Sequence, residues 1–225
     1  MQRLIALLLM LLAASATIAH GVAGGDKAFI EHNVGRQLPL FVYLGAKHMV
    51  TGYDHLLFLF GLVFLLYRPR DVAANVTLFA IGHSTTLLLG VLGGWRVDAH
   101  LVDAVIGLSV VWKALDNLGA FRRWFGVQPD ARAAVLIFGF FHGLGLATKL
   151  QEMRLSNDGL VPNMLAFNVG VELGQLLALF AILMVMGLWR RSASFGLQSF
   201  GANTALMGAG FVLVGLQMTG YFLAT

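Results

Sequence analysis

Long apolar stretches alternate with short polar, glycine- or proline-containing segments along most of the chain. They cover roughly residues 39–66, 72–92, 100–118, 132–150, 161–188 and 200–223. A helix rising about 1.5 Å per residue needs roughly 20 apolar residues to cross a bilayer core. Every stretch approaches or exceeds that length, the third and fourth by the least. The pattern predicts an all-α fold, a polytopic transmembrane helical bundle of six spans filling one membrane domain over residues 39–225. Pro39 and Pro162 stand near helix starts, where a missing N–H costs little. Pro69 and Pro129 punctuate short loops.

The N-terminus carries a different pattern. Arg3 provides a basic start, Leu4 to Ala13 an apolar run, and Thr17-Ile18-Ala19 a small-x-small cleavage signal. Residues 1–19 are therefore expected to be a signal peptide and 20–38 a short external segment. The apolar run is short for a span; left uncleaved it would give a seven-span topology.

Composition sharpens the class. Hydrophobic residues make up 58%, charged residues only 12%, and the mean hydropathy is +0.80. A soluble domain carries about twice that charge fraction. The net charge of +4 is split among short loops with no basic, aromatic-rich stretch, so no nucleic-acid partner is expected. With no cysteine, thiolate metal sites, disulfides and cysteine nucleophiles are excluded. The 27 glycines concentrate in the spans and allow close helix packing.

Loop charges orient the chain. Arg68, Arg70, Arg122, Arg123, Arg132, Arg190 and Arg191 cluster in or directly beside the 67–71, 119–131 and 189–199 connections. The other side has Lys27, Arg36, Arg96, Lys149 and Arg154. The positive-inside rule puts the arginine clusters in the cytoplasm and the mature N-terminus in the periplasm of a bacterial inner membrane. A cleaved signal peptide requires the same orientation.

Against this apolar background, His48, Asp54, His55, His83, His142 and Glu172 fall inside predicted spans. Ionisable groups at that depth are costly and usually mark a site facing a bundle interior. Histidines with carboxylates suit a divalent metal or proton transfer. His48, Gly52 and His55 share a helical face, while Asp54 lies about 100° from His55. Asp54 is placed either to reach a neighbouring helix or to orient a ligand histidine. His83 lies deep in the second span beside Ser84, and the neighbouring Thr85 and Thr86 suit bonds to their own helix. His142 sits among Gly139, Gly143 and Gly145. Asn168, Glu172 and Gln175 recur at helical spacing as one polar stripe. Spans one, two, four and five thus carry polar groups at similar depth. Asp103, Lys113 and Lys47 are weaker candidates, and the sixth span, with Asn203 and Gln217 as its polar marks, reads as scaffold.

Four segments carry a resemblance: HMVTGYDHLLFLFGLV (48–63), FAIGHSTTL (79–87), FGFFHGLGLA (138–147) and FNVGVELGQ (167–175). In that order they resemble the HupE/UreJ family of bacterial membrane proteins, especially its second branch. The resemblance implies a signal peptide, six further spans, and a nickel or cobalt permease tied to hydrogenase or urease gene clusters. It also implies metal handling by the first-span histidines and aspartate, here His48, Asp54 and His55. Met49 stands where the hydrogenase-linked branch usually has proline.

The leading expectation is a divalent-metal permease or metal-handling membrane protein, with a nickel, zinc or cobalt ion bound by the six residues above. An intramembrane metal-dependent hydrolase is the alternative, with three histidines holding the ion and Asp54 or Glu172 as base. A third is an accessory membrane subunit for metalloenzyme maturation, with a partner protein to serve. No phosphate-binding loop is present, which argues against an ATPase. The expected partners are thus a transition-metal ion, the lipid bilayer and a maturation partner.

Overall fold

The computed structural model describes residues 35–151 and 158–224. The predicted signal peptide and residues 20–34 lie outside the described residues. The described residues form eight helices and no strand: α1 (Leu38–Thr51), α2 (Tyr53–Val63), α3 (Pro69–Gly93), α4 (Ala99–Asn117), α5 (Ala120–Phe125), α6 (Ala131–Gln151), α7 (Leu160–Trp189) and α8 (Phe195–Ala224). The fold is the all-α helical bundle that the apolar pattern predicts. Helices α3, α6, α7 and α8 are long and apolar enough to cross a membrane. Helix α4 has 19 residues but carries Asp103, Lys113 and Asp116.

The first predicted span, 39–66, differs from a single helix. It is two helices, α1 of 14 and α2 of 11 residues, separated at Gly52. Gly52 adopts an extended ψ of 101° and ends α1 by donating its N–H to the His48 carbonyl. Lys47, His48, Asp54 and His55 make the stretch polar on both sides of the break, but at sequence level they read as a site within one span rather than as a helix end. The 119–131 connection, read as a loop, holds the short helix α5.

The chain divides into two compact units: Met1–Leu56 with Met153–Gln175, and Leu57–Glu152 with Leu176–Thr225. In the first, α1 packs against the N-terminal half of α7 through small residues. A Cβ on Gly45 would strike the Phe167 carbonyl, and one on Gly170 the Val42 carbonyl. Gly174 lies against Ala46 and Met49 in the same way. Without a hydrophobic drive between helices in lipid, such close backbone approach supplies the packing. Asn163 ties the two helix starts together, accepting from the Gln37 N–H at 2.8 Å and donating to the Gly35 carbonyl at 2.9 Å.

In the second unit, α3 packs on α6, and α4 packs on both α6 and α8. Gly82, Gly139 and Gly143 bring the α3 and α6 backbones together, and the Thr86 hydroxyl crosses to the Phe140 carbonyl at 2.7 Å. Gly107 and Gly210 do the same between α4 and α8. The C-terminal end of α2 is closed by side chains from distant parts of the chain. The Asn117 amide donates to the Gly61 carbonyl at 2.9 Å, and the Arg190 guanidinium donates to the Val63 and Phe64 carbonyls. The Gly61 and Val63 carbonyls also accept the Phe64 and Leu66 N–H groups in i→i+3 turns, and a cation at a helix C-terminus is favourable. Arg190 also lies over the Tyr67 ring, 4.6 Å from its centroid. Burial lowers the Arg190 pKa, but arginine starts so high that it stays charged.

Gly143→Leu should therefore destabilise the protein by about 2 kcal/mol or more, because its side chain would press on the α3 backbone. Gly208→Leu should be tolerated, since nothing lies within 4 Å of a Cβ there. Thermal unfolding in detergent would show a fall of several degrees for the first and little change for the second.

Candidate metal site at the break in the first span

A helix that stops and restarts leaves the last carbonyls of one segment and the first N–H groups of the next without helical partners. Irregular backbone at membrane depth is tolerated only when buried in protein or lining a cavity, and broken helices commonly form ion sites there. The break at Gly52 lies inside the polar motif. His48 occupies the last turn of α1, and Asp54 the first turn of α2. The carbonyl end of α1 favours a cation, while the amide end of α2 favours the Asp54 carboxylate. The restart is marked by the Leu56 N–H donating to the Gly52 carbonyl at 3.0 Å.

The break also sets distances. On a continuous helix, residues seven apart are separated by about 10 Å along the axis. Here the His48 and His55 ring centroids are 5.1 Å apart, edge to face at 77°. Asp54 Oδ1 lies 3.0 Å from His55 Nδ1 and accepts the His55 backbone N–H at 2.9 Å. The His55 side chain is 3% exposed and that of Asp54 15%. A carboxylate beside Nδ1 draws the ring proton to that nitrogen and presents Nε2 as a lone pair, the arrangement that orients metal-binding imidazoles. Asp54 thus contacts His55 itself, one of the two placements the sequence left open. Gly52 is required by space: a Cβ there would lie 2.8 Å from His55 Nδ1 and 3.1 Å from Asp54 Oδ1. Lys47 turns to Tyr43, its ammonium 5.9 Å from the ring centroid.

His83 and His142 belong to the second unit, and both are about 1% exposed. Phe79 contacts both rings, with centroids 6.0 Å from His83 and 5.0 Å from His142; Phe58 lies 5.4 Å from His142. The Ser109 hydroxyl donates to the Ile106 carbonyl at 2.6 Å, so its oxygen accepts from His142 Nε2 at 3.3 Å. That leaves Nδ1 as the lone-pair nitrogen of His142. The chain reading passed over Ser109 because a lone serine in a span has no distinguishing spacing. Thr85 donates to the Ile81 carbonyl within its own helix, as the sequence suggested. Asp103, a weaker candidate, is held by Lys149 at 2.8 Å in a pair linking α4 and α6. Lys113 is paired with Asp116.

Glu172 is placed differently from the expected polar stripe. Asn168 and Gln175 are buried, whereas Glu172 is exposed among Val169, Leu173 and Leu176. Glu172 is rotated about 40° from Asn168 and about 60° from Gln175. That rotation carries it past the edge of the buried arc. Among the described residues, no group of three or more His, Asp and Glu side chains is arranged to hold one metal ion. The structure thus gathers His48, Asp54 and His55 at the break, and sets His83 and His142 around Phe79.

A family profile described as HupE / UreJ protein matches residues 24–225. The chain belongs to the HupE/UreJ family. The match is to the second branch of that family, the one the four ordered segments resemble. No curated protein and no solved structure matches the chain significantly. HupE/UreJ proteins are associated with nickel or cobalt transport or with urease and hydrogenase maturation, which supports a metal-handling membrane role.

Nitrogen NMR of histidine-labelled protein checks the local chemistry without any metal. His55 should show a protonated Nδ1 and His142 a protonated Nε2. Asp54→Asn should change only the first pattern and Ser109→Ala only the second. A His55 ring protonated at Nε2 in the wild type would refute the role given to Asp54.

Proposed function

We propose that this HupE/UreJ protein is a permease for divalent transition-metal ions of the nickel or cobalt type, with the ion as cargo. The observation that carries the reading is the Asp54–His55 pair, with the His48 ring beside it, at the interruption of the first membrane segment. Neutral imidazoles bind nickel, cobalt and zinc, and the Asp54 carboxylate offsets part of the ion's charge. The carbonyl end of α1 adds a further favourable field. In the bacterial inner membrane, with the mature N-terminus periplasmic, the ion reaches His48 and His55 first. His83 and His142 are the further ligands that the ion meets.

A permease has to bind an ion well enough to admit it and weakly enough to release it. Pairs of imidazoles suit that demand. A hydrolase needs three ligands fixed on one ion with a position left for water. Glu172, on the exposed face of α7, is not given a ligand role in this scheme.

Purified protein should retain a divalent ion, most readily zinc or nickel, measurable by elemental analysis. His55→Ala should reduce retention about 10-fold or more, and Asp54→Asn about 10- to 100-fold in affinity. Acidification from about pH 7 to 5 should release the ion as protons compete for the imidazoles. Equal metal content in wild type and His55→Ala would remove His55 from the site.

Transport is tested in sealed proteoliposomes. Uptake of Ni²⁺, Co²⁺ or Zn²⁺ should exceed that of empty vesicles, and His83→Ala or His142→Ala should slow it without abolishing binding at His48 and His55. Binding without flux under varied pH and voltage would contradict transport and support the accessory role in metalloenzyme maturation.

A further inference from the structure

The second unit carries an exposed aromatic and basic face that metal handling does not use. Helix α5 (Ala120–Phe125, sequence AFRRWF) is bracketed by Gly119 at φ 66° and Gly126 at φ 69°. Residues with side chains rarely take that left-handed conformation, so the two glycines set sharp turns into and out of the helix. One side is docked: Ala120 is buried, and the Phe121 ring lies 5.5 Å from Trp112 of α4. The other side is bare. Trp124, Phe125 and Val127 are 64%, 68% and 64% exposed, and Arg122 and Arg123 are exposed beside them.

The acidic groups near α5 are engaged elsewhere. Asp116 is held by Lys113 and by the Gln128 amide. Asp130 accepts the backbone N–H groups of Arg132 and Ala133 and so caps α6. Among the described residues, neither Arg122 nor Arg123 makes an ion pair. The segment therefore presents two uncompensated positive charges next to three large apolar side chains. Its position is constrained by connectivity. Five residues separate α5 from α6, a helix long and apolar enough to cross a membrane. That length spans at most about 18 Å, so α5 cannot leave the neighbourhood of the bilayer surface.

We infer that α5 and residues 126–127 form a docking surface for anionic lipid. Trp124, Phe125 and Val127 enter the interface below the phosphates, and Arg122 and Arg123 bind the phosphate groups. Tryptophan is enriched at that depth because its ring is apolar with a polar edge. The arginine fork matches phosphate oxygens in two-point hydrogen bonds. An apolar anchor combined with a basic pair gives binding that depends on lipid charge, and salt weakens it.

The chain has no cysteine, so a single introduced thiol is a unique label site. Trp124→Cys carrying a bimane fluorophore is placed in nanodiscs of phosphatidylcholine, with or without phosphatidylglycerol. Quenching by lipid bearing a doxyl group near the headgroup is compared with quenching by aqueous acrylamide. Lipid quenching should dominate and rise about twofold or more with phosphatidylglycerol. That rise should vanish in the Arg122→Gln/Arg123→Gln background and shrink at about 1 M salt, where the Debye length falls to about 3 Å. Phe125→Cys should repeat the result and guards against a local effect of losing Trp124. Dominant acrylamide quenching in both lipids would overturn the inference, as would protection from both quenchers, which marks a protein partner. Lipid quenching independent of lipid charge would overturn the recognition of anionic headgroups.

Discussion

A backbone inside a bilayer has no water to satisfy it, and that constraint governs every other feature of this chain. Most other helix ends coincide with a proline, a glycine, a capping aspartate or the end of an apolar run. The break at Gly52 is different, because it falls inside a predicted span, between Lys47-His48 and Asp54-His55. Such an interruption is costly unless protein groups take over the freed backbone. Here Asp54 accepts the His55 N–H and ring proton together, and Asn117 and Arg190 close the far end of α2. The groups that make the break tolerable also orient an imidazole and place a second one beside it.

Much of this was legible in the sequence. The apolar stretches fixed the helical class, and the ionisable residues within them marked His48, Asp54 and His55. Their spacing put His48 and His55 on one face. It did not give the mechanism by which their rings meet, since the polar residues from Lys47 to His55 read as a site within one continuous helix rather than as a break. Glycine lowers helix propensity by only about 1 kcal/mol, too little to predict a break by itself. Ser109 and Asn163 were also hidden, because their roles depend on a neighbouring helix rather than on local spacing. Glu172 shows the opposite failure. Its helical spacing matched Asn168 and Gln175, but spacing within about 60° cannot say on which side of the burial boundary a residue falls.

Glycine performs two distinct tasks. In the helix pairs α1–α7, α3–α6 and α4–α8 it removes side chains where backbones nearly touch. At position 52 it leaves room for a carboxylate and an imidazole rather than for another helix. The histidines show a parallel division. His55 has a carboxylate partner and lies next to another imidazole, whereas His142 has a serine hydroxyl and aromatic walls. The first environment places a carboxylate and two imidazoles together. The second is less polar.

The central claim is that the break joins His48 and His55 as ligands of one cation. X-ray absorption at the nickel edge of the nickel-loaded protein tests it most directly, because outer-shell scattering counts coordinated imidazoles. The account predicts a nitrogen and oxygen shell near 2 Å with two imidazoles in the wild type and one in His48→Ala (roughly the distances known for imidazole ligands). A nickel shell unchanged by His48→Ala, or one without imidazole scattering in the wild type, would contradict it.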